Sequence, residues 1–137
     1  QYTLNGVSYG NTMNKTFTSN GEVYQRVMRI AAGVRGDVWT DIINFGAVDD
    51  AGQADITNYK YFRVTNLDDT NYLELRVTGT ADSFFVKVKA GESFLLMDNE
   101  IDAVASGTAI GTLTDITQIG ANANTAAIDI EFVVVTA

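Results

Sequence analysis

Three observations predict an all-β chain: apolar and polar side chains alternate with a period of two, turn signals recur along the chain, and no sustained helical periodicity is present. About eight strands are expected, enough for an antiparallel β-sandwich, jelly-roll-like in kind. Residues 1–137 are read as a single sandwich domain, because no repeat or low-complexity linker divides them.

The elements are taken in chain order. Asn5-Gly6 is suited to close a short hairpin between Tyr2–Leu4 and Val7–Tyr9. Asn20-Gly21, between residues 15–19 and 22–30, is the stronger signal, since Asn and Gly both accept the positive φ of a type I′ turn. Residues 37–45 form the next strand, with Val38, Thr40 and Ile42 on one side and Trp39, Asp41 and Ile43 on the other. After a Gly-rich, acidic connector at 46–52 come strands at 60–66, 72–78, 83–89, 92–98 and 126–136. If residues 67–70 form a hairpin loop, Val64 faces Leu73, Arg63 faces Glu74 and Tyr61 faces Arg76.

Residues 99–125 are small, polar and short of aromatics. Ile110, Leu113, Ile116 and Ile119 recur every three residues, which fits a helical turn or two, although Gly107, Gly111 and Gly120 weaken a helix. Residues 112–116 fit a strand equally well. A long connection before the last strand suits a Greek key.

Composition excludes several functions. The chain has no Cys and no His, which removes thiolate nucleophiles, Cys-based zinc sites, the Ser-His-Asp triad and the usual neutral-pH acid–base group. No apolar run approaches the ~20 residues that span a bilayer, so no membrane insertion is expected. The first residues, Gln1-Tyr2-Thr3, lack the basic and apolar segments of a secretory leader. Net charge is −8. It is uneven: the acids Glu92, Asp98, Glu100, Asp102, Asp115, Asp129 and Glu131 lie in a carboxy-terminal third that contains no Lys or Arg. Direct nucleic-acid binding needs a basic surface and is not expected. The acidic stretch is either a solvated surface or a face that meets a basic partner.

The acidic pairs Asp49-Asp50 and Asp68-Asp69 are the candidates for a metal or a carboxylate dyad. Neither sits in a run of calcium ligands, and Asp caps its own backbone in turns, so both pairs are expected to form turns without a metal. No cofactor and no catalytic residue are nominated. Arg35-Gly36-Asp37 is a tripeptide of common residues before a strand, and Asn14-Lys15-Thr16 is a formal glycosylation sequon. Most aromatic residues fall at alternating strand positions and should be core. Tyr59, Tyr61 and Tyr72 are the expected exposed cluster and a possible ligand surface. Val133 and Val135 lie opposite Ile130 and Phe132, so that strand is apolar on both faces. Phe84-Phe85 and the residues around Leu96 share this property. Phe132, Val133, Val135, Phe85 and Leu96 are therefore the candidate interface, because apolar side chains on an edge strand need cover.

The stretch Tyr61-Phe62-Arg63-Val64-Thr65-Asn66-Leu67-Asp68-Asp69-Thr70-Asn71-Tyr72, followed by Phe85-Val86-Lys87-Val88-Lys89-Ala90-Gly91-Glu92-Ser93-Phe94-Leu95-Leu96, resembles a two-hairpin pattern of small virion proteins of tailed bacteriophages. The resemblance covers a quarter to a third of the chain. It implies a β-sandwich on the particle exterior, a capsid decoration protein or a tail or fibre component. A homo-oligomer contacting the major capsid protein or tail proteins is implied with it. The pattern defines no site, so no residue role is carried over. The rival readings are a carbohydrate-binding or adhesin module using the tyrosines, and a lytic enzyme with a carboxylate pair.

Overall fold

The computed structural model describes residues 2–4, 7–9, 21–33, 39–46, 53–57, 59–102 and 109–136. They contain no helix. In chain order the strands are β1 (Tyr2–Leu4), β2 (Val7–Tyr9), β3 (Val23–Ile30), β4 (Thr40–Gly46), β5 (Gln53–Asp55), β6 (Tyr59–Asn66), β7 (Leu73–Gly79), β8 (Ser83–Val88), β9 (Ser93–Leu96), β10 (Glu100–Ile101), β11 (Thr114–Ala123) and β12 (Ile128–Thr136). Leu4 pairs with Val7, so β1 and β2 form the short antiparallel pair expected across Asn5-Gly6.

The larger strands make two sheets. One has the order β3-β12-β6-β9 and is antiparallel throughout. The other has the order β5-β4-β11-β7-β8, with β5 added parallel to β4 and β10 paired to β11. Ile30, Phe62, Val64, Ile130 and Val134 from the first sheet share one core with Leu73, Leu75, Val77, Ile116 and Ile119 from the second. All ten are essentially inaccessible. Burying such side chains contributes roughly 1.5–3 kcal/mol each, and this is the main force holding the sheets face to face. The rings of Phe45 (β4) and Tyr59 (β6) meet edge to face at 5.4 Å and link the two layers.

β6 and β7 are not a hairpin, which corrects the expected register. β6 pairs with β12 and β9, whereas β7 pairs with β11 and β8. Residues 67–72 carry the chain from one sheet to the other. Arg63 therefore lies opposite Val133 and Leu95 rather than Glu74. Alternation alone does not distinguish the two arrangements, because either one places Phe62, Val64, Leu73 and Leu75 inside.

Three bulges explain where simple alternation fails. Thr117 is an extra residue against β7, so Ile116 and Ile119 both point inward although they are three apart. That is the source of the three-residue spacing in this segment. β11 is a ten-residue strand in the middle of its sheet rather than a loop or helix, while Ile110 and Leu113 are exposed. Ile42 is likewise an extra residue against β11, placing Ile42 and Phe45 in the core together. Lys60 is the third, against β12, and it puts Tyr59 inside with Phe62.

Expectations for residues 15–19, Arg35-Gly36-Asp37, Asn14-Lys15-Thr16 and Asp49-Asp50 lie outside the described residues.

Candidate functional site

The structure separates the residues nominated from sequence. Tyr59 is buried, which removes it from any exposed tyrosine cluster. Its hydroxyl donates to the Leu96 carbonyl at 2.6 Å. Burial raises its pKa above the ordinary tyrosine value, with a further rise from Asp98 and then Tyr61, so the phenol stays protonated and keeps donating. Tyr61 is half-buried on the outward face of the β3-β12-β6-β9 sheet, and Tyr72 belongs to the other sheet's side. The three tyrosines do not converge.

The interface candidates divide as well. Phe132 lies in the core, because it shares the inward face of β12 with Ile130 and Val134. Leu96 is half-buried and packs against the core. β12 is a central strand rather than an edge, paired along its length by β3 and β6. Val135 is buried, flanked in register by Val23 and Tyr61, and Val133 is half-buried between Gln25 and Arg63. Phe85 alone of the five is strongly exposed, at 64%.

Sequence reasoning missed the outermost apolar positions of this sheet. Val23 and Val27 on β3 and Leu95 on β9, with Met97 just beyond, are each about half or more exposed. Among the described residues β3 and β9 each have a neighbouring strand on one side only. The β3 edge also presents the exposed Arg26 and Arg29, whereas the β9 end presents the exposed Glu92, Asp98 and Glu100.

The acidic carboxy-terminal third is partly balanced within the chain. Glu131 pairs with Arg63 at 3.0 Å and accepts from Gln25 at 3.0 Å. Asp129 faces Arg29, and Glu92 faces Lys89. The sheet order brings these acids on β12 between bases on β3 and β6.

Asp68 shapes the crossing between sheets. Its Oδ1 accepts from the Thr70 and Asn71 amides, and these bonds, with the Asn71 side chain also contributing, hold its pKa below the ordinary aspartate value. Asp69 Oδ1 accepts from the Thr70 hydroxyl. Both are thus turn-forming side chains in geometry. Among the described residues no three Asp or Glu cluster as metal ligands.

A second surface lies on the outward face of the β7–β8 pair, a concave groove of about 690 Å³ lined by Trp39, Tyr72, Glu74, Arg76, Phe85, Val86 and Lys87. Trp39 and Phe85 are 5.6 Å apart with their rings tilted by 44°. Arg76 stacks over Trp39 at 5.0 Å, and Lys87 Nζ sits 3.9 Å from the Tyr72 ring centre. Arg76 also donates to Gln118 at 2.8 Å, and Gln118 donates to Asn44 at 3.0 Å, so a polar ladder crosses β7, β11 and β4. Gly120 lies opposite Arg76 on β11, and an added Cβ there would meet the Trp39 Cβ at 3.7 Å. Tyr72 and Phe85 were singled out from sequence, but as parts of different surfaces, because the groove's rings come from segments far apart in the chain.

Comparison with protein-family models, curated proteins and solved structures finds no match to the chain. No helix of the described residues is long and apolar enough to cross a membrane.

Proposed function

We propose that the chain is a non-enzymatic structural protein of a phage virion that assembles with copies of itself on the particle exterior. The observation that carries the assembly reading is the pair of unlike edges that one sheet has among the described residues. The β3 edge exposes Val23, Val27 and the base Arg26, with Arg29 paired to Asp129. The β9 edge exposes Leu95, Met97 and the acid Asp98, with Glu92 paired to Lys89. Unlike edges on opposite sides of one sheet favour a heterologous, head-to-tail contact, which closes into a ring or extends along a lattice. Charge of opposite sign at the two ends sets partner and register.

The virion setting is supported by the resemblance of residues 61–96 to small phage virion proteins, and by strand order. Numbered among themselves, the eight principal strands β3, β4, β6, β7, β8, β9, β11 and β12 form sheets of order 1-8-3-6 and 2-7-4-5. We read that order as a jelly roll, a fold that recurs in viral capsid and lectin domains. Fold alone does not decide function, so the edges and the resemblance carry the reading together.

Light scattering on the purified protein tests it, with an assembly of several copies expected. Antibody raised against the protein should label the exterior of intact particles from the host that carries the gene. A monomer at all concentrations, together with unlabelled particles, contradicts the proposal.

A further inference from the structure

We propose that the Trp39–Phe85 groove binds an acidic oligosaccharide, a chain of sugars carrying carboxylates. The site is on the sheet opposite the assembly edges and does not depend on them.

The aromatic floor supplies one half of the recognition. Trp39 and Phe85 present tilted, adjacent rings, and Phe85 is 64% exposed although it is large and apolar. The exposed Phe85 ring, with the half-buried Trp39 indole beside it, suits the C–H face of a pyranose ring, which is apolar and slightly positive, against the negative face of the aromatic ring.

The cations supply the other half. Arg76 and Lys87 are each held on an aromatic face. Neither takes part in the ion pairs of the described residues, which are Arg29–Asp129, Arg63–Glu131 and Lys89–Glu92. The guanidinium is fixed further by its bond to Gln118, so it is oriented before a ligand arrives. Two oriented cations in one groove, in a chain of net charge −8, favour an anionic ligand. A bare polyanion fits less well, since it leaves the aromatic floor unused.

Trp39 is the only tryptophan of the chain, so its fluorescence reports the groove directly. The probe is a galacturonate oligosaccharide. A neutral maltooligosaccharide of equal length and a short poly-glutamate are the comparisons. A saturable change with the uronate probe alone is expected. Lys87→Gln and Phe85→Ala should each weaken it roughly five- to tenfold, with circular dichroism unchanged because both side chains are exposed. No saturable change at millimolar probe overturns the proposal. Equal binding of the neutral sugar removes the role of the cations, and equal binding of poly-glutamate removes that of the aromatic floor. Unchanged affinity in both variants overturns it too.

Discussion

The side-chain amide of Asn66 donates to the main-chain carbonyl of Asn71 at 2.8 Å, closing the crossing from β6 to β7 inside the protein. Asn66 is fully buried. Its amide also donates to the Val88 carbonyl at 3.3 Å, and its Oδ1 accepts from the Asp68 amide at 3.0 Å. The main chain of the same residue bonds to Glu92 and Gly91. One asparagine thus ties the crossing to the turn between β8 and β9. Asn66→Leu, close in size but without these bonds, should orphan an N–H and two carbonyls and cost roughly 2–4 kcal/mol in urea unfolding. A loss below half a kcal/mol would show that water replaces the amide.

Asp68 gives this crossing a pH dependence. The backbone amides of Asn71 and Thr70 lower its folded-state pKa, so the carboxylate contributes stability above its unfolded pKa. That contribution is lost as pH falls through the lower, folded value. The melting temperature of Asp68→Asn should lie below that of the native chain at pH 7, and the gap should close in the acid range below the ordinary aspartate pKa. A gap that is constant or widens on acidification contradicts the assignment.

The sheet exchange between β6 and β7 is tested by a double-mutant cycle on Arg63 and Glu131. The pair is partly exposed, so a coupling of about 0.5–1 kcal/mol is expected rather than a buried-pair value. Arg63 and Glu74 should show none. A comparable Arg63–Glu74 coupling with none at Glu131 would restore the simple hairpin.

Two glycines separate steric from conformational need. A Cβ at Gly79 would lie 3.0 Å from Thr114 Oγ1 and 3.1 Å from Ile101 Cγ1, so Gly79→Ala should cost about 1–3 kcal/mol through crowding. Gly91 has φ of 71° with nothing near the added carbon, so Gly91→Ala should cost about 1–2 kcal/mol from backbone conformation alone. A Gly91→Asn variant should recover part of that loss, because Asn tolerates the left-handed region. Equal melting of the Ala and Asn variants would contradict this account of Gly91.

Local features were the legible ones. The strand character of β6 to β9 and the turn chemistry of Asp68 follow from neighbouring residues and were readable as such. The sheet to which a strand belongs was not, because Arg63 opposite Glu74 satisfies charge as well as Arg63 beside Glu131 does. Bulges at Lys60, Ile42 and Thr117 also hid from a period of two. They moved Tyr59 inside and made β11 resemble a helix. The groove was illegible for a third reason: Trp39 meets Phe85 only after β4, β11, β7 and β8 have aligned.

The most direct measurement of the central claim is the molar mass in solution of the native chain against Val27→Lys and Leu95→Lys. Both positions are exposed on opposite edges of one sheet, so each variant should keep native circular dichroism. Val135→Lys is the control, since Val135 is buried and its substitution should lower stability instead. The account predicts a native assembly of several copies that either edge substitution alone reduces to folded monomer. A native monomer, or an assembly that survives both substitutions together, would contradict it.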